Sequence, residues 1–182
     1  QAIKTQTVFG FDFDGYWQDI GTIRSFYETN LALTTPETPF NFYDPKLPIY
    51  TDTRFLPSSI IEDSKLRNVL ISDGSRILRS DITHSIIGTR SQISGGCTIK
   101  DTIMMGSDYY ERDDEGLPIG IGANSYIEGA ILDKNVRIGE NVIIRPFPRK
   151  VDIDNEKWYV RDGIVVIPKD AEIPAGTKIA PE

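Results

Sequence analysis

Branched aliphatics recur at every sixth residue in three stretches of this chain: Ile87, Ile93 and Ile99; Ile121 and Ile127; and Ile167, Ile173 and Ile179. An amphipathic helix needs contacts at three and four, so a step of six fits neither a helix nor a simple hairpin strand. It fits a hexapeptide-repeat β-helix, in which one inward aliphatic marks each short strand and a turn follows. The pattern predicts coils from Ile60 onward, with Ile60 to Leu66 and Ile71 to Ile77 as further steps of six and Ile82 and Ile87 following at fives. Ile87-Gly88, Ile121-Gly122 and Ile138-Gly139 fall at strand–turn junctions, where glycine is expected for its tolerance of positive φ. Asn135 and Asn141 fall at similar corners and also tolerate the left-handed region.

With 182 residues, 39% hydrophobic and 26% charged, the chain can bury a sizeable core, and its length suits one full domain plus part of another. A net charge of −7 argues against nucleic acid as the main partner. The charge is uneven. Asp108, Glu111, Asp113, Asp114 and Glu115 crowd one segment, whereas Lys134, Arg137, Arg145, Arg149 and Lys150 face Glu140 alone. The lone cysteine, Cys97, excludes an internal disulfide and reads as a small packing residue. No apolar run approaches the ~18 residues that span a membrane and no signal-peptide pattern opens the chain, so a reducing compartment such as the cytosol is expected.

Ahead of the repeats, residues 1–13 read as β-structure, with Thr5, Val8 and Phe9 among the strand formers. The first residue is not Met, and the chain is expected to begin inside a larger domain. Thr22 is placed to cap a helix whose face carries Ile23, Phe26, Tyr27, Asn30 and Leu31, stopped by Pro36. Thr34 to Ser59 holds five prolines, Pro36 included, and several aromatics, which suits an extended connector lying against another surface, since Phe40, Phe42 and Tyr43 call for burial. The expected division is therefore 1–35, 36–58 and 59–182. Two insertions break the repeat, one from Gly106 to Pro118 and one from Arg145 to Gly163, and insertions into a solenoid map to loops on one side, often the binding side.

The string Phe13-Asp14-Gly15-Tyr16-Trp17-Gln18-Asp19-Ile20-Gly21-Thr22-Ile23 resembles the end of the catalytic domain in sugar-nucleotide pyrophosphorylases, more narrowly the glucose-1-phosphate adenylyltransferases. Three further segments are similar to that family: Met105-Gly106-Ser107-Asp108-Tyr109-Tyr110-Glu111, Ile131 to Gly139, and Gly163 to Lys169. The resemblance runs from about Phe11 to Ile179. It implies a mainly β fold, a left-handed parallel β-helix preceded by a short strand–helix remnant of an α/β nucleotidyltransferase domain. It also implies a homotetramer that turns ATP and glucose 1-phosphate into ADP-glucose and pyrophosphate with Mg²⁺, in glycogen or starch synthesis, in a bacterial cytoplasm or the plastid stroma. The glycine-rich nucleotide loop lies upstream in the family and no such pattern occurs here, so the chain alone is expected to be inactive.

By the same resemblance, Asp19 is one of two Mg²⁺ carboxylates and Trp17 lies near the sugar. Read without it, Asp19 equally suits a cap on the following turn. Asp12 and Asp14 fit an alternating strand and turn better than a metal motif. Lys134 and Lys169 match family lysines that contact activator phosphates, and Arg54 matches an anion-binding arginine. Dianionic effectors such as fructose 1,6-bisphosphate, fructose 6-phosphate or 3-phosphoglycerate need several converging cations. Asp52, where the plant-type pattern has Gln, sits awkwardly beside such a site. His84, the only histidine, occupies a plain coil and excludes a three-histidine metal site within one chain. A structural β-helix interaction module and a hexapeptide-repeat acyltransferase using coenzyme A remain the alternatives.

Overall fold

In the computed structural model, residues 4–111 and 116–182 are described. One helix, α1 (Ile23–Ala32), precedes a stack of short strands between Ile60 and Ile179. The strands build a three-faced prism. The first face stacks Ile60–Glu62, Arg76–Leu78, Gln92–Ile93, Gly120–Ile121, Arg137–Ile138 and Glu172–Ile173, all parallel.

Four longer strands, Lys65–Ile71, Asp81–Ile87, Thr98–Met104 and Tyr126–Leu132, each supply both other faces, because each bends at one residue of positive φ. Those residues are Asn68, His84, Asp101 and Gly129. Their first halves continue the second face into Ile143–Ile144 and Lys178–Ile179, and their second halves continue the third face into Ile164–Ile167. Lys65 pairs with Asp81 and Asp81 with Thr98, so a coil takes 16 or 17 residues.

The aliphatics at the six-residue step fill the prism. Ile87, Ile93, Ile99, Ile121, Ile127, Ile167, Ile173 and Ile179 are all buried in one cluster. Cys97 joins them, its Sγ 3.3 Å from Gly122 O, as a packing residue whose thiol burial pushes up in pKa. The first coil differs in register. Ile61, not Ile60, pairs with the inward Ile77, while Ile60 pairs with the outward Arg76 and is 58% exposed. The first step is thus five, from Ile61 to Leu66.

The corner glycines also have another cause than expected. Gly88, Gly122 and Gly139 do not take positive φ; a Cβ on each would lie 2.4 to 2.5 Å from the backbone of the neighbouring coil. Close stacking demands the missing side chain there. Positive φ is carried instead by residues such as Asn124, Asn135 and Asn141 (φ 57–59°), as their short amide side chains allow.

Thr22 caps α1 as expected, its side chain accepting from Ser25 N at 3.0 Å and Ser25 returning the contact at Thr22 N. Tyr27 and Leu31 are buried against Ile103, Ile131, Ile164 and Val166, the outer side of the third face, with Phe26 partly so; Ile23 stays exposed. That face is therefore covered on both sides, which explains its paired apolars Ile103-Met104, Ile131-Leu132 and Val166-Ile167.

One expectation fails ahead of the prism and another holds only in part. Residues 4–13 contain no strand, because no neighbouring strand offers them a ladder: Phe9 and Phe11 are 86% and 88% exposed. The connector aromatics settle only in part: Phe42 is half-buried and lines a cavity with Leu70 and Ile71 of the prism. Phe40 and Phe42 meet edge to face at 4.7 Å, and Tyr43 is exposed.

The insertions leave from different corners rather than one side. The first departs between the third and first faces. The second, between Ile144 and Ile164, departs between the second and third and folds as a hairpin, Ile153–Asp154 against Tyr159–Arg161, which pairs antiparallel with Ile164–Ile167. Its Val160 is fully buried, and Phe147, Val151, Ile153 and Trp158 pack on the prism core.

Candidate functional site

The coils pass from the third face to the first along one edge, by tight corners except where the first insertion departs, and the corner residues stack. Arg90 N donates to Asp73 O (3.1 Å), Ser107 N to Thr89 O (2.8 Å), Asn135 N to Gly106 O (3.1 Å) and Asp170 N to Lys134 O (3.0 Å). The stacking places Lys134 and Lys169 at equivalent positions of successive coils, roughly 5 Å apart along the axis. Two cations on one edge at that spacing would repel without an anion between them.

The first insertion supplies that anion. Asp108 receives Lys134 Nζ on Oδ1 at 2.6 Å and Lys169 Nζ on Oδ2 at 2.7 Å. Asn135 fixes the approach: its Oδ1 accepts from Asp108 N at 2.8 Å, and its Nδ2 donates to Asp170 Oδ1 at 2.9 Å. The Lys134 hydrogen bond, then that of Lys169, holds the Asp108 carboxyl well below the usual carboxylate range, and Asp108 in turn raises Lys169. All three charged groups reach solvent, with side chains 36% to 50% exposed.

The rest of the insertion is tied down by polar contacts. Tyr110 OH donates to Gly74 O at 2.8 Å, and the Arg90 guanidinium lies 5.9 Å from the Tyr110 ring. Arg137 donates to Glu111 Oε1 and to Leu117 O, while Glu111 Oε2 accepts from Ile119 N at 2.9 Å. Asp113, Asp114 and Glu115 of the acidic run lie outside the described residues.

Arg54 lies along the same edge but does not join the lysines. Its Nη1 is 3.4 Å from Thr89 Oγ1, and it lines a separate cavity of about 930 Å³ whose wall also carries Asp52 and Asp73. Two carboxylates beside one guanidinium make that cavity a poor host for a dianion.

Trp17 and Asp19 are far from enclosed: Trp17 is 74% exposed, and Asp19 is exposed with Oδ1 accepting from Gly21 N at 3.0 Å. Asp19 thus closes the turn that feeds the Thr22 cap. Among the described residues no three His, Cys, Asp or Glu side chains gather as a metal site. Mg²⁺ takes near-octahedral oxygen ligation, and one carboxylate already engaged by a backbone amide does not fit it here.

His84 sits at a corner with φ 46°, its Nδ1 2.5 Å from Asp101 Oδ1. The pair lines a cavity of about 450 Å³ under α1, together with Arg24, Tyr27, Glu128 and Phe147. Around it Arg24 bonds Asp162, and Arg149 bonds Glu28 at 2.7 Å, so the helix is fastened to the second insertion by ion pairs. No helix among the described residues is long and apolar enough to cross a membrane.

The coils, with their corner insertions, match the family described as the GLGC left-handed parallel beta-helix domain, over residues 54–178. The chain belongs to this family. As a GLGC β-helix the prism is left-handed. The chain is also 42% identical to the glucose-1-phosphate adenylyltransferase large subunit 1, chloroplastic/amyloplastic, of Zea mays, over 98% of its own length and 37% of the relative's. It is 44% identical to the corresponding small subunit of Triticum aestivum, over 92% of its length and 38% of the relative's. It thus spans well under half of these curated relatives.

Sequence reasoning found the two lysines of this GLGC β-helix but missed their counter-ion. Asp108 stands among a crowd of acids and in the Met105–Glu111 segment, and neither charge counting nor the resemblance says which acid turns inward to the corner. The Glu111–Arg137 tie was missed for the same reason.

Proposed function

We propose that this chain is the C-terminal regulatory and oligomerisation portion of a glucose-1-phosphate adenylyltransferase, and that its Lys134–Lys169 corner binds an anionic effector. One observation carries the effector reading: two ammonium groups from successive coils meet within 2.6 and 2.7 Å of the same carboxylate, the geometry a phosphate oxygen pair would use. Membership of the GLGC β-helix family and the similarity to both plant subunits support the parent reaction, ATP plus glucose 1-phosphate giving ADP-glucose and pyrophosphate. Fructose 1,6-bisphosphate, fructose 6-phosphate and 3-phosphoglycerate are the effectors to test. Residues 1–35 would belong to the catalytic domain, 36–58 to a connector and 59–182 to the β-helix. Arg54, in its separate cavity beside Asp52 and Asp73, stands outside the effector corner in this reading. Asp19 and Trp17 act only where a longer polypeptide supplies a second carboxylate and the nucleotide loop. The compartment is a plastid, as the relatives' names give for them, or a bacterial cytoplasm.

A structural pairing module is the second reading, and one observation favours it. The first coil leaves Ile60 and Ile61 58% and 45% exposed at an open strand edge, which seeks a partner. Pairing through that edge is compatible with a tetramer, and analytical ultracentrifugation of the chain reads it directly.

Isothermal titration with the three effectors tests the regulatory reading. Binding that Lys134→Ala together with Lys169→Ala abolishes is the expected result. No binding of any of them at millimolar concentration overturns it. The chain by itself should make no detectable ADP-glucose from ATP and glucose 1-phosphate; measurable turnover contradicts that assignment.

A further inference from the structure

The first insertion brings a carboxylate between two ammonium groups that converge on one corner of the prism. We infer that Asp108 is a tethered stand-in for the effector's anionic group, which a ligand must displace, so that the corner selects dianionic phosphates over monoanions. This rests on the effector reading above and adds how the site is gated.

The geometry is that of a bound ligand. Asp108 spends one oxygen on each lysine, at 2.6 and 2.7 Å, as a bridging phosphate would. Its backbone is held independently of that contact, through its N–H to Asn135 Oδ1 at 2.8 Å, so the side chain can leave without the chain moving. The contact is also exposed enough for exchange: the Asp108 side chain is 36% and the Lys169 side chain 50% accessible. A weak Asn135 Nδ2 contact at 3.4 Å is the remaining side-chain bond to Asp108 among the described residues.

Two consequences follow. An intramolecular carboxylate meets the lysines at high effective concentration, so a free monoanion such as acetate brings the same charge and gains nothing by replacing it. A phosphate dianion returns two charges to two ammonium groups and accepts more hydrogen bonds, so it competes. After displacement the freed Asp108 carboxylate turns into solvent, where the high dielectric of water keeps its repulsion with the anion small.

The test is Asp108→Asn in the chain, with inorganic phosphate, 3-phosphoglycerate and acetate as probes in calorimetric titrations. Asn keeps the side-chain shape and the backbone bond, and Asp108→Ala serves as a second variant. The expected result is phosphate and 3-phosphoglycerate binding tightened roughly fivefold, as loss of an exposed ion-pair competitor allows. Acetate should bind only in the variants, and Lys169→Met should remove all of it. If wild type binds phosphate through Lys134 and Lys169 but both Asp108 variants bind equally or more weakly, Asp108 is a support and the inference is overturned while the effector reading stands. If neither wild type nor variants bind phosphate or 3-phosphoglycerate, the inference is overturned, and the effector reading falls with it where the two fructose phosphates also fail to bind.

Discussion

The two insertions interrupt the same repeat and are built on opposite principles. The second, from Arg145 to Gly163, turns apolar side chains inward: Val160 is fully buried, and Phe147 and Trp158 pack against the prism. The first, from Gly106 to Pro118, is held to its corner by Asp108, Tyr110 and Glu111 through hydrogen bonds and ion pairs. Burial of apolar surface stabilises a fold without needing a counter-charge, whereas exposed charge pairs stabilise little and exchange readily. An insertion of the first kind is part of the core, and one of the second kind can answer to an anion.

The largest effect that separates them is on stability. Val160→Asp places a carboxylate at a fully buried position and should cost more than about 3 kcal/mol. Trp158→Ala, at a partly buried site of the same hairpin, should cost about 2 kcal/mol. Urea unfolding followed by circular dichroism checks both. A cost under about 0.5 kcal/mol for either would mean that the hairpin is not core.

In the first insertion Arg137→Met should cost about 1 kcal/mol, because it leaves the half-buried Glu111 with its Ile119 amide alone. Lys134→Ala with Lys169→Ala should change stability by less than about 0.5 kcal/mol yet weaken phosphate binding by more than about tenfold. Equal losses of stability in both insertions would erase the distinction.

The smallest effect is on pH. The Asp108 carboxyl is lowered from its ordinary value, so its contribution is present above the unfolded carboxylate range and is lost only as pH falls through the lower folded value. Asp108 therefore remains charged from pH 5 to 8, and Lys169, raised by it, also remains charged. Any strengthening of 3-phosphoglycerate binding across that window comes from the second ionisation of its phosphate ester, near pKa ~6. Titrations at pH 5.5 and 7.5 should give the same rise in affinity for wild type and Asp108→Asn. A rise confined to wild type would place the titrating group on Asp108.

Much of the prism was legible because its signal is local and repeated. The buried isoleucines at the six-residue step and the left-handed corners at Asn135 and Asn141 each depend on one residue type at one position. The register of the first coil was not, since Ile60 and Ile61 are both apolar and only pairing with Arg76 and Ile77 tells them apart. The strand expected near Val8 and Phe9 failed because β-propensity describes fit to a neighbouring strand, and none is there. The glycine at each junction was found for a conformational reason, but the cause is the distance to the next coil, which no single coil reveals. In the site, the cations were legible from two Lys-bearing segments. Their partner was not, because Asp108 reaches them across 26 and 61 residues of chain.

We propose that anions bind at the Lys134–Lys169 corner and not in the cavity of Arg54. The most direct measurement is a titration of the chain with fructose 1,6-bisphosphate, read by NMR at the ¹⁵Nζ signals of its lysines and the ¹⁵Nε signals of its arginines. The predicted result is saturable movement of Lys134 and Lys169 with Arg54 unchanged. Saturable movement of Arg54 with Lys134 and Lys169 still would contradict the account.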